Sequence, residues 1–143
     1  MRIMRFKKPV FREGLNFTVR LGEDWKSELS LGDVFCLEGV DDKIGYVQKL
    51  YVCKLEDVPQ EVFDREHDSR VRDSYLLLTT LLEVYADKLK GIPTEDVRAS
   101  PVTCIGFYLV DVKEAAELWI AEEEERTTEP EPQETQSENL GSG

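Results

Sequence analysis

The chain has 143 residues, 41% of them hydrophobic and 9% aromatic, with a formal net charge of −12. That is the length of one domain with apolar material for one core, and it excludes collagen-like and wholly disordered chains. No run approaches the roughly 18 apolar residues of a membrane span, and the charged N-terminus lacks the apolar stretch of a secretion signal. A soluble, cytoplasmic protein is therefore expected.

The charge is unevenly spread. Residues 1–112 hold 16 Lys and Arg against 20 Asp and Glu, net −4, and residues 113–143 hold 2 against 10, net −8. Among residues 1–20 the balance reverses: Arg2, Arg5, Lys7, Lys8, Arg12 and Arg20 face only Glu13. Screening confines surface fields to about 10 Å, so this local patch says more about partners than the total does. It reads either as a solvated face or as a footprint for an anionic ligand. Cys36, Cys53 and Cys104 lie far apart in apolar runs, and His67 is the single histidine. These residues assemble no zinc set, so free buried thiols in a reducing compartment are expected, with no metal and no cofactor.

Arg2 to Phe6 alternate well enough for a first strand, which Lys7-Lys8-Pro9 ends because proline cannot donate to a ladder. Val10 to Glu13 read as a short helical turn stopped by Gly14. The next strand starts at Leu15, with Phe17 and Val19 on one face and Thr18 and Arg20 on the other. Asn16 is either a left-handed backbone position or a pocket-lining amide. Leu21 to Glu28 read as a polar loop, in which Trp25 either stacks on an unpaired base or folds back as a lid.

Gly32 makes a tight turn before the strand 33–38, and residues 38–43, including Asp41 and Asp42, read as a turn. Residues 44–54 form the longest strand, with Gly45 as a bulge or bend and Val47, Tyr51 and Cys53 on one face. One or two helical turns are expected around Val62 and Phe63. Asp68 or Ser69 is a candidate N-cap, and His67 between Glu66 and Asp68 reads as a surface residue. Val71, Tyr75, Leu78, Leu82, Tyr85 and Leu89 recur at spacings of four and three, which predicts one helix from 71 to 89, ended by Gly91 and Pro93. A turn at 93–96 precedes the last strand, 102–110, with a bend at Gly106. A helix is predicted over 113–125, with Ala116, Trp119 and Ile120 on one side. Residues 126–143 are Thr, Glu, Pro, Gln, Ser and Gly-rich and read as a disordered acidic tail. No P-loop, dinucleotide fingerprint or nucleophile elbow is present.

These elements fit an α+β chain built as a small mixed β-barrel with flanking helices and a disordered acidic C-terminal tail. One stretch adds a resemblance. Gly14, Thr18, Arg20, Gly32 and Asp33 resemble the opening motif of the ASCH family, a PUA-like branch, which runs Gly-x-Lys-x-x-Thr/Glu-x-Arg, a short insert, then x-Gly-Asp and a strand. Leu15 and Asn16 stand where the motif has its lysine, and the segment is one residue shorter. The resemblance covers residues 1–112 and implies a cleft between barrel and first helix, ringed by Lys7, Lys8, Arg12, Asn16, Thr18 and Arg20. The implied function is recognition of RNA or of a modified nucleoside or nucleotide by a monomer. Phosphates would sit on the basic rim, Thr18 and Asn16 would face a base edge, and Trp25 or Tyr46 would stack.

Two alternatives stand beside that expectation. Some ASCH proteins are amidohydrolases acting on N4-acetylcytidine with a lysine, a threonine and a glutamate. Thr18 matches the threonine, Glu66 is the nearest glutamate, and the unmatched lysine ranks catalysis below binding. The third is a protein-interaction domain whose acidic tail docks to a basic partner or folds back over the basic patch.

Overall fold

The computed structural model describes residues 2–117. The chain divides after Val110, and a helical stretch at 112–117 belongs to the following segment. The rest of the helix expected over 113–125, and the tail at 126–143, lie outside the described residues.

Five strands make one mixed sheet: β1 (Arg2–Met4), β2 (Leu15–Leu21), β3 (Val34–Leu37), β4 (Val40–Lys54) and β5 (Pro101–Asp111). Their order is β1-β3-β4-β5-β2. β1 lies parallel to β3, while the β3–β4 and β5–β2 pairs are antiparallel, the last running from Leu15↔Tyr108 to Leu21↔Val102. The expected barrel does not form. Closure would require β1 to pair with β2, and β1 stops at Met4 after three residues. The outer edge of β2 is instead taken by a later segment: Phe17 forms a lone parallel bridge with Glu66, the His67 N–H donates to the Phe17 carbonyl at 2.9 Å, and Arg65 Nε donates to the Leu15 carbonyl at 3.0 Å. The sheet is therefore open, with β2's free edge clasped locally rather than paired.

Several local expectations change. No helical turn forms at 10–13. The polar loop holds a short helix, α1 (Asp24–Glu28), and the turn after β3 shrinks to Glu38-Gly39, so Asp41 and Asp42 lie within β4. α2 (Gln60–Arg65) follows a 3-10 turn at Leu55–Asp57. The long helix predicted from 71 to 89 is two: α3 (Ser74–Val84) and α4 (Ala86–Leu89), separated at Tyr85 with φ −109° and ψ 34°. Val71 keeps the apolar spacing but sits in a turn, its N–H donating to the Asp68 carbonyl at 3.0 Å. The cap is Asp73 rather than Asp68 or Ser69, its side chain accepting from the Leu76 N–H at 2.9 Å. The turn expected at 93–96 opens the short helix α5 (Thr94–Arg98).

The sheet has a core on each face. Phe17, Val19, Val102 and Cys104 pack with Leu55, Val62, Phe63, Leu77, Leu78 and Leu81, which the helices and their connections supply. Met4, Leu29, Phe35, Leu37, Val47, Ile105 and Phe107 form the second cluster. Burial on both faces explains why β5 reads as a continuous apolar run. Gly45 and Gly106, expected as bends, serve close approach instead. Phe35 lies over Gly45 and Phe17 over Gly106, each opposite its glycine in register, and a Cβ at either position would press on the ring. No helix among the described residues is long and apolar enough to cross a membrane.

Candidate functional site

Strand alternation in β2 separates two kinds of side chain. Phe17 and Val19 turn into the first core, and Thr18 and Arg20 open onto a cleft of about 500 Å³. Its other walls are the segment 5–8 after β1, the loop from Glu66 to Val71, and α3 through Leu77, Leu81 and, at its C-cap, Tyr85. The bridge that blocks barrel closure is also what brings Glu66, 48 residues downstream of Thr18, to the same cleft.

Arg20 is fixed from several sides. Its Nε donates to Thr18 Oγ1 at 3.3 Å, and its guanidinium carbon lies 4.7 Å from the centre of the Phe6 ring. Burial lowers its pKa from the ordinary value, while neighbouring Tyr85 and Glu66 favour the charged form.

Glu66 and His67 lie in a charged junction that reads as surface in the sequence. Glu66 is 3% exposed, and burial pushes its carboxyl up to about 8 against the opposing pull of Arg20 and Arg12. His67 is not the surface residue expected. Its side chain is 9% exposed and stands at 4.9 Å from the Phe6 ring and 5.3 Å from the Phe11 ring, centre to centre. Burial lowers its pKa, which favours the neutral imidazole. Nδ1 faces the Val10 carbonyl at 3.2 Å, and because a carbonyl only accepts, Nδ1 carries the proton. Nε2 is then an acceptor 3.4 Å from Glu66 Oε1, a partner for a protonated carboxyl. At neutral pH the two groups form a neutral pair: an acid that still holds its proton beside an imidazole that does not.

The remaining candidates divide. Lys7 and Lys8 stand exposed at the cleft rim. Asn16 is fully buried and is not among the residues lining the cleft; it clamps the preceding loop, accepting from the Arg12 N–H at 2.8 Å and donating to the Arg12 carbonyl at 3.0 Å. Arg12 lines a separate, smaller recess. Trp25 packs from α1 against the second core, with the Arg2 guanidinium carbon 5.8 Å from its ring centre. Tyr46 is exposed on β4 away from the cleft. Two of the six basic residues are already paired, Arg2 with Glu28 at 3.0 Å and Arg5 with Glu38 at 3.2 Å.

The sequence signal for Glu66 and His67 was faint. Both sit in a charged run, Glu66-His67-Asp68, where burial is the exception, and only the pairing of that run with β2 removes them from water. No group of three or more His, Cys, Asp or Glu among the described residues is arranged to hold a metal ion. Cys104 is buried, and Cys36 and Cys53 are half-buried. Comparison with family models, with curated proteins and with solved structures returns no match to this chain.

Proposed function

We propose that this chain is an ASCH-like, PUA-like module that takes an unpaired base of RNA, or a modified nucleoside or nucleotide, into the cleft beside β2. The observation that carries the reading is the convergence of Thr18, Arg20 and Glu66 on one concavity with Lys7 and Lys8 at its rim. A volume of about 500 Å³ lies within the roughly 300–1,000 Å³ of small-molecule sites. The protonated Glu66 carboxyl, its proton directed to His67 Nε2, keeps its other oxygen as an acceptor for a base-edge amino group, and Thr18 adds a hydroxyl. Arg20 and the rim lysines supply positive charge for a phosphate or a carbonyl-rich edge. Calorimetric titration with cytidine, N4-acetylcytidine and a short single-stranded RNA tests this. Arg20→Ala should weaken binding about tenfold or more, since a hydrogen bond to a charged group is worth about 1.5–3 kcal/mol. A folded wild-type protein that binds none of the three ligands would overturn the reading.

The placement of Glu66 in the same cleft as Thr18 favours one second reading, the amidohydrolase. The two readings part on pH. A neutral Glu66 puts no negative charge beside an anionic ligand, so a nucleotide binds best below about 8 and loses affinity as pH rises through that value. A general base at Glu66 needs the ionised form, so hydrolysis would instead rise through the same range. Release of cytidine from N4-acetylcytidine with that pH profile would replace binding by catalysis.

A further inference from the structure

Beside the cleft lies a second recess of about 260 Å³, lined by Lys8, Arg12, Arg72, Ser69 and His67 among others. It shares Lys8, His67 and Asp68 with the cleft, so the two cavities adjoin. Three cationic side chains converge here, and no ion pair joins Lys8, Arg12 or Arg72 to an acidic group among the described residues. The arginines are nonetheless held. Arg12 Nε donates to the Glu66 carbonyl at 2.9 Å and Arg72 Nε to the Ser69 carbonyl at 2.6 Å, which leaves the terminal nitrogens of each fork for an outside acceptor. The Asn16 clamp fixes the backbone of Arg12 itself. Asp68, the acidic side chain in the lining, is turned to Arg70, accepting from its Nε at 3.1 Å and from Nη2 at 2.9 Å.

We propose that this recess binds a phosphate group, monoester or diester, of the ligand whose base occupies the cleft. The proposal rests on the reading of the cleft given above and narrows it: the ligand is a nucleotide or an RNA strand rather than a free nucleoside. Preorganised guanidinium forks without carboxylate partners match phosphate oxygens in number and geometry, and the Ser69 hydroxyl adds a neutral donor. Buried Asn16 is then a positioning residue for Arg12, although it touches neither cavity.

Amide NMR titrations of the full chain with inorganic phosphate, and calorimetry with cytidine, cytidine 5′-monophosphate and a cytidine oligonucleotide, test the assignment. Phosphate should shift the amides of Ser69, Arg72 and Arg12 while leaving Thr18 unmoved. The monophosphate should bind about tenfold more tightly than cytidine, as one or two charged hydrogen bonds imply. Arg72→Gln, whose side chain is anchored only to a loop carbonyl, and Arg12→Gln should each shrink that ratio toward one; the monophosphate and oligonucleotide arms separate a terminal from an internal phosphate. Equal affinity for cytidine and its monophosphate, or a phosphate response that Arg72→Gln does not change, overturns the recess. Cytidine binding with no phosphate advantage removes the recess alone. Phosphate binding at Arg72 with no cytidine binding keeps the recess and removes the base cleft.

Discussion

A carboxyl group 3.4 Å from an imidazole, with two guanidinium groups near it, would ordinarily ionise; at Glu66 the removal from water outweighs them. This has a consequence for stability that can be signed. The folded value of about 8 lies above the ordinary 4.5, so between those values the folded state holds a proton that the unfolded chain has lost. Glu66 therefore makes stability fall as pH rises through that window. His67 acts oppositely, because its folded value lies below 6.5 and the unfolded imidazole takes up a proton below that pH. The two offset one another just below pH 6.5. From about pH 7 to 8 Glu66 dominates among the described residues, at up to about 1.4 kcal/mol per pH unit. Urea unfolding at pH 6.5 and pH 8 should show that decline in the wild type, and Glu66→Gln should flatten it. An equal decline in both proteins would place the ionisation elsewhere.

Among the elements, α3 shows how far periodicity reaches. Leu77, Leu78 and Leu81 pack into the first core as an amphipathic helix should, and Leu76 and Leu82 are partly buried. Its start is chemical rather than periodic. Val71 has the right spacing and is buried, yet the helix begins only after Asp73, whose side chain satisfies the Leu76 N–H. Asp73→Ala should cost about 1 kcal/mol, read as a lower urea midpoint with an unchanged slope. A loss within error would mean that packing alone sets the helix start. The break at Tyr85 serves the site, because it ends α3 at the cleft beside Arg20.

At the scale of the molecule, a protein of net charge −12 presents Lys7, Lys8, Arg12, Arg20 and Arg72 where two cavities adjoin. Pairing of Arg2 and Arg5 with Glu28 and Glu38 removes part of the basic patch from use, which leaves Lys7, Lys8, Arg12 and Arg20, joined by Arg72 of the second recess. Affinity for single-stranded RNA should therefore fall with salt, with a slope of about −0.7 in log–log form per phosphate engaged. For two or three phosphates, raising salt from about 50 to 200 mM should cost roughly sevenfold to twentyfold. A slope near zero would confine recognition to the base.

The amino-acid pattern by itself determined which faces of β2 are apolar, that most of the stretch 71–89 is helical, and that Thr18 and Arg20 stand together on the polar face. These are properties of side chains a few positions apart, where strand and helix periods act directly. Only the tertiary structure decided that the sheet stays open and that Glu66 and His67 leave the solvent. Both involve the contact between residues 17 and 66, in which the backbone after α2 occupies the edge that a barrel would have closed, beside a β1 that stops at Met4. No local period encodes a pairing across 49 positions. The charge run around His67 therefore looked like surface until the β2 edge, Phe6 and Phe11 enclosed it.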